Sequence, residues 1–219
     1  MENIEYYKKY DERYKISHSQ GVAWAGDKHS KILEKYLKDI PKNKTILEIG
    51  CGEGQNALYM LKQGYNILAC DVSKNAICWC KNKAEQENIN KDIFFTLDIL
   101  KDNLNQKFDI IFCFSVLHMF VTTKHRDKFY QFLSNHINQN GTAIITSMGD
   151  GKVSFTSSID TDEKVSNNNI TTQKLPCKIA SLDEIKEEIK RNGLRLKNTY
   201  ISSEIQGFEK SIVVEIKRN

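Results

Sequence analysis

Ile46-Leu47-Glu48-Ile49-Gly50-Cys51-Gly52-Glu53-Gly54 is the stretch that decides how this chain is read. A short apolar run opens at Thr45, after the breaker Pro41, and ends in three glycines alternating with Cys51 and Glu53. That order predicts a strand turning into a helix, with glycines where the backbone must come close to a ligand. Gln55 to Gln63 continues as a helix, and Gly64 is placed to end it.

The same alternation continues downstream. Asn66 to Cys70 predicts a second strand stopped by Asp71, and Ser73 caps a helix running to about Asn88. Ile93 to Thr96 is a third strand, with Asp98 just beyond it. Phe108 to Phe114 is a continuous apolar run suited to a central strand buried on both faces. Lys124 to Ile137 reads as a helix ended by Asn140-Gly141, and Thr142 to Ser147 as a fifth strand. Ser181-Leu182-Asp183-Glu184 is a capping-box pattern opening a helix that Asn192-Gly193 closes. Leu194 to Ile201 and Ser211 to Lys217 then form a hairpin joined near Gly207. Five βα repeats and a closing hairpin give seven strands, in an α/β, Rossmann-like, mostly parallel sheet with helices on both faces.

Two regions flank this core. Residues 3 to 14 are expected to form a helix carrying Tyr6, Tyr7, Tyr10 and Tyr14, and a second helix spans about Lys28 to Lys38. The stretch from Met148 to Cys177 is rich in Ser, Thr and Asn and follows no period, as functional lids and insertions often do. The expected organisation is one domain over residues 1–219. It comprises an N-terminal helical cap (1–40), a cofactor-binding core (45–147), a variable acceptor-side segment (148–180) and a closing helix and hairpin (181–219).

With 219 residues, 40% of them apolar and 27% charged, the chain is globular rather than disordered. The net charge of +4 is spread among acids, without the basic stripe expected of a nucleic-acid binder, so no nucleic-acid partner is expected. Met1 to Tyr14 has no apolar stretch of the signal-peptide kind, and no window is long and apolar enough for a membrane span, so a cytoplasmic location is expected. No two of the six cysteines have C-x-x-C spacing; reduced, mostly buried thiols and no metal are expected.

The chemistry is concentrated at the strand ends. A dinucleotide site has the pattern G-x-G-x-x-G and seats a pyrophosphate on a helix N-terminus. Here the pattern is G-x-G-x-G, preceded by Glu48. A carboxylate is unhelpful beside a pyrophosphate but welcome beside an ammonium or a sulfonium. Asp71 can accept both ribose hydroxyls, and Asp98 can accept from an adenine amino group.

On these residues the chain resembles the class I S-adenosylmethionine-dependent methyltransferases, over about Thr45 to Ser147 and more loosely to the C-terminus. Glu48 through Gly54 match the family's glycine motif, Asp71 (followed by Val72) its ribose-binding acid, and Asp98-Ile99 its adenine-binding pair. Phe114 stands where the family places a residue near the cofactor. Within the class, Gly52-Glu53-Gly54-Gln55-Asn56-Ala57-Leu58-Tyr59, Phe108-Asp109-Ile110-Ile111, Ser115 to Phe120 and His29 to Leu33 look like the tellurite-resistance and thiopurine-type small-molecule methyltransferases. The resemblance implies S-adenosyl-L-methionine as cofactor, a small-molecule acceptor with a thiol, chalcogen, oxygen or nitrogen nucleophile, and an antiparallel last strand. It implies cofactor contacts from Glu48, Gly50, Cys51, Gly52, Gly54, Asp71, Val72, Asp98, Ile99 and Phe114. Tyr14 and Trp24 would line the pocket near the sulfonium, where aromatic rings attract cations.

His118, in the loop after the fourth strand, is the candidate catalytic base, and packing or capping is its alternative role. A thiolate or chalcogen anion would need no base. Three rival readings remain: a NAD-dependent oxidoreductase, a non-catalytic nucleotide-binding module, and a methyltransferase acting on RNA or protein. The glycine spacing and the absence of a second dinucleotide half oppose the first. Intact Glu48, Asp71 and Asp98 oppose the second. The absence of a proline-containing motif after strand four opposes a nucleic-acid amino-methyltransferase.

Overall fold

A computed structural model describes residues 5–159, 163–167, 170–205 and 207–219. A 3-10 turn at Tyr6–Lys9 leads into α1 (Tyr10–Ser19), and α2 (Lys31–Leu37) follows an irregular stretch of turns and bends. The central elements are β1 (Thr45–Ile49), α3 (Gln55–Lys62), β2 (Asn66–Asp71), α4 (Lys74–Gln86), β3 (Phe94–Thr96), β4 (Phe108–Cys113), α5 (Thr123–His136) and β5 (Ile137–Met148). Two small ladders come next, β6 (Phe155–Thr156) with β9 (Lys178–Ile179) and β7 (Lys164–Asn167) with β8 (Ile170–Gln173). The chain ends with α6 (Leu182–Arg191), β10 (Leu194–Ser202) and β11 (Ser211–Arg218).

The main sheet has seven strands in the order β10-β11-β5-β4-β1-β2-β3. β3, β2, β1, β4 and β5 run parallel, and β11 is antiparallel to both of its neighbours. This is the expected Rossmann-like sheet with its closing hairpin. One face packs on α5 and α6 through Phe129, Tyr130, Leu133, Ile185 and Ile189. The other packs on α2, α3 and α4 through Ile32, Leu33, Leu58, Ile77 and Cys80. Residues of β1 alternate between the two layers, with Ile46 on one side and Leu47 and Ile49 on the other. The sheet order reverses at β1, where the crevice above the strand ends receives a ligand in folds of this kind.

Several expectations need correction. The first helix does not end near Tyr14 but continues to Ser19; residues 3 and 4 of the expected span lie outside the described residues. Asp11 accounts for its docking, because its carboxylate accepts hydrogen bonds from Ser73 and Asn75 at the start of α4, a contact no local pattern reveals. The next helix begins at Lys31 rather than Lys28. Asn140-Gly141 does not end α5. The chain passes directly from His136 into β5, and the pair lies inside that strand. A Cβ on Gly141 would sit 2.8 Å from the Phe108 carbonyl oxygen and 2.9 Å from that of Asp109. This glycine serves a close backbone approach where the β4–β5 register shifts between Phe108 and Ile110. The aperiodic segment after Met148 contains the four short strands β6–β9.

Among the described residues no helix is long and apolar enough to cross a membrane. Cys51, Cys70, Cys80 and Cys113 are buried free thiols, Cys177 is half-buried and Cys78 exposed.

Candidate cofactor and acceptor site

A cavity of about 950 Å³ lies over the ends of β1, β2 and β4 and under the N-terminal segment. Its wall brings together Tyr14 and Trp24 from the cap, Glu48, Gly50, Cys51 and Gly52 from the glycine loop, and Asp71 with Val72. It also includes Asp98 with Ile99, and Phe114 with His118. Gly54 stands behind the wall as the N-cap of α3, packed toward Cys80 and Phe94.

Two glycines carry the close approach. Gly50 has φ +68, and a Cβ there would lie 2.3 Å from a Val116 methyl. Gly52 has φ +54, and its added Cβ would meet the Tyr14 hydroxyl at 2.9 Å. Both positions combine a left-handed backbone with no room for a side chain.

Three acids face this loop from the strand ends. Glu48 is 2% exposed; its Oε1 accepts from the Asn56 side chain at 2.9 Å, while its Oε2 is buried with no hydrogen-bond partner among the described residues. Burial pushes its carboxyl up to about 8, with the Asp71 charge contributing in the same direction. Asp71 accepts from the Gly52 N–H at 2.9 Å and the Ser73 N–H at 2.8 Å, so it orders the glycine loop; burial still raises its carboxyl above the usual range. Asp98 accepts from the Tyr7 hydroxyl at 3.0 Å and the Leu100 N–H at 3.1 Å, with the Lys8 ammonium 3.5 Å away.

The loop after β4 forms the opposite wall. Ser115 has φ +59, a left-handed conformation rare outside glycine, and its N–H donates to the Thr146 hydroxyl. His118 follows in a 3-10 turn at Leu117–Met119, edge-on to Phe208 at 5.1 Å. Its Nδ1 is buried without a partner among the described residues. Burial lowers its pKa to about 4, with the nearby Arg126 charge assisting, so the imidazole is neutral at physiological pH. Arg126 holds this turn in place. Its Nη1 donates to the carbonyls of Leu117 and Phe120, while Nε and Nη2 pair with both oxygens of Glu188 at 2.6 and 2.7 Å. Tyr130 adds a third hydrogen bond to Glu188.

Motif reading missed the acid that fastens the cap. Glu53 is fully buried and accepts from the Trp24 N–H at 2.6 Å, the Ala25 N–H at 2.9 Å and a His18 ring nitrogen at 2.8 Å. His18 in turn stacks on Trp79 at 4.2 Å. Arg13 is a second omission; its guanidinium lies over the rings of Tyr10 and Trp24 on the cavity wall. The only sequence signal for either was an unusual location: an acid inside a glycine loop and a cation inside a row of aromatics.

A family profile described as tellurite resistance protein TehB matches residues 24–163, more than half of the chain. The chain belongs to the TehB family. Among relatives, a probable S-adenosyl-L-methionine-dependent methyltransferase TehB of Haemophilus influenzae is 29% identical over 100 residues, covering 46% of this chain and 34% of that protein. A ubiquinone biosynthesis O-methyltransferase of Rickettsia canadensis is 30% identical over 131 residues, covering 57% of this chain and 52% of that one. This TehB-family chain thus spans about a third to a half of the length of these curated relatives. The crystal structure of a TehB-like SAM-dependent methyltransferase from Corynebacterium glutamicum superposes with a TM-score of 0.59 at 19% identity, covering 99% of this chain and 100% of that one. At that identity the likeness shows the fold, the one expected from the strand order.

Proposed function

We propose that this protein transfers a methyl group from S-adenosyl-L-methionine to a small-molecule acceptor, with residues 1–219 acting as one methyltransferase domain. The observation that carries this reading is Glu48. A fully buried carboxyl group beside a glycine loop, one of its oxygens without a hydrogen-bond partner among the described residues, is stabilised in its charged form by a cationic ligand. A dinucleotide would bring a pyrophosphate to the same loop, where its charge would oppose the ionisation of Glu48 instead of favouring it. The donor set fits the methionine and nucleoside parts of the cofactor: Glu48 for the ammonium, Asp71 for the ribose and Asp98 for the adenine. Gly50, Cys51, Gly52, Val72, Ile99 and Phe114 supply the walls, Gly54 starts the helix behind them, and Tyr14 and Trp24 cover the site.

When bound, the cofactor would supply a sulfonium-activated methyl group, with a neutral thioether as the leaving group, for transfer to the acceptor's nucleophile. The protein's main work is alignment and exclusion of water by the cap. His118 is the candidate base on the acceptor side. A neutral imidazole with a pKa near 4 is a weak proton store. It suits an acceptor whose nucleophile is already deprotonated, or a proton that passes on to solvent. Relatives include an O-methyltransferase and a family described by tellurite resistance, so the acceptor is framed by the cavity rather than by kinship.

Labelled methyl transfer to a panel of thiols, oxyanions, phenols, amines and tRNA tests the reaction, and calorimetry tests the cofactor site. Glu48 is protonated in the free protein below about pH 8 and must ionise beside a cation, so cofactor binding releases a proton. Affinity should fall as pH drops from 8 toward 6, by at most about tenfold per unit. E48Q should lose both affinity and that slope. A flat profile with unchanged affinity in E48Q would overturn the assignment, and labelling of tRNA alone would overturn the small-molecule acceptor.

A further inference from the structure

The cavity is large, and acids and cations line it from different elements of the fold. At about 950 Å³ it stands at the upper end of ligand pockets, which run from roughly 300 to 1,000 Å³. Its acids, Glu48, Asp71 and Asp98, cluster at the strand ends. Cations line the cap side and the β8 side: Arg13, Lys28, Lys31 and Lys174. Lys174 is paired with Glu163 at 2.8 Å, and the wall residue Glu204 is paired with Lys35 at 2.6 Å.

Arg13 is the most constrained of these cations. Its guanidinium carbon lies 5.1 Å from the centroid of the Tyr10 ring and 4.7 Å from that of Trp24. Its Nη2 donates to the Gln173 carbonyl at 3.0 Å, so α1 and β8 hold it from two sides. Its Nε is buried with no hydrogen-bond partner among the described residues. The group is oriented by these contacts, and one of its donors, Nε, has no partner among the described residues. A guanidinium in that state matches a carboxylate, which accepts two parallel N–H bonds from one fork. Tyr10 and Trp24 also line the cavity and offer aromatic surface to a flat body.

We propose that the methyl acceptor is an organic anion, a carboxylate on a flat apolar body, and that Arg13 selects it. The inference rests on the function proposed above and adds the substrate class. An inorganic oxyanion would leave the aromatic wall unused, and a neutral acceptor would leave the Arg13 Nε unpaired.

The test uses the full chain saturated with S-adenosylhomocysteine and three matched pairs of probes: benzenethiol and mercaptobenzoate, phenol and hydroxybenzoate, aniline and aminobenzoate. Calorimetry should show the carboxylated member of at least one pair binding tenfold or more tighter than its neutral partner. In R13Q that preference should collapse to about twofold or less, and R13K should retain part of it through charge alone. The affinity for S-adenosylhomocysteine and the melting temperature, read on the same samples, separate selection from collapse of the cap. Equal binding within every pair would overturn the proposal, as would a preference that survives R13Q. Loss of homocysteine-ligand affinity in R13Q and R13K alike would make Arg13 a strut of the cap instead. Failure of the wild-type chain to bind S-adenosylhomocysteine at all would instead sink the methyltransferase reading on which the proposal stands.

Discussion

The floor of the cavity and its cap are held by different kinds of bond. β1 pairs with β2 along its whole length, from Thr45↔Asn66 to Ile49↔Cys70, and with β4 from Ile46↔Ile110 to Glu48↔Phe112. The floor is therefore locked by main-chain ladders between buried strands. The cap is fastened by individual carboxylates of the core and of α1. Glu53 takes the backbone at Trp24 and Ala25, Asp11 reaches the start of α4, and Asp98 takes the Tyr7 hydroxyl. A ladder fails cooperatively, whereas tethers can be released one at a time. The cap is expected to open at a lower free energy than the sheet, as a cover over a ligand must.

Three substitutions sharpen or break this contrast. The largest effect is expected on the floor side, at Arg126. Removing it leaves the buried Glu188 without its counter-ion, and unfastens the carbonyls of Leu117 and Phe120. R126A should lower global stability by about 3–5 kcal/mol in denaturant unfolding. A loss below about 1 kcal/mol would show that the turn carrying His118 does not depend on this pair.

Glu53→Gln should act on the cap alone. Hydrogen bonds to a charged group contribute about 1.5–3 kcal/mol, so amide exchange at Trp24 and Ala25 should accelerate by tenfold or more. Exchange in β1 and β4 should hardly change. Equal acceleration in both regions would mean that cap and floor open as one unit, and the contrast would be lost.

Asp71→Ala acts on the floor and on the ligand together, because this acid orders the Gly52 N–H and is assigned to the ribose. Cofactor affinity should fall by tenfold or more, about 1.4 kcal/mol at least. Unchanged affinity in calorimetry would remove Asp71 from the site.

The floor was legible in the sequence because its determinants are local. Strand periodicity, the glycines at 50, 52 and 54 and the acids at strand ends lie within a few residues of the turns they shape. The cap was not, because its tethers join residues far apart in the chain: Glu53 to Trp24, Asp11 to Ser73 and Arg13 to Gln173. Gly141 shows the same limit inside the core. After a helix and an asparagine it has the local signature of a helix stop, yet its place is set by the carbonyls of Phe108 and Asp109 across the ladder.

The sequence by itself determined the sheet class, the seven strands of the main sheet, the closing hairpin and the residues of the cofactor turn, since each follows from short-range pattern and backbone sterics. Tertiary structure alone decided which carboxylates hold the cap, that burial keeps His118 neutral and leaves one Glu48 oxygen without a partner among the described residues, and that Arg13 lies over two rings on the cavity wall. Those outcomes depend on desolvation and on contacts between distant segments, neither of which exists until the chain has folded.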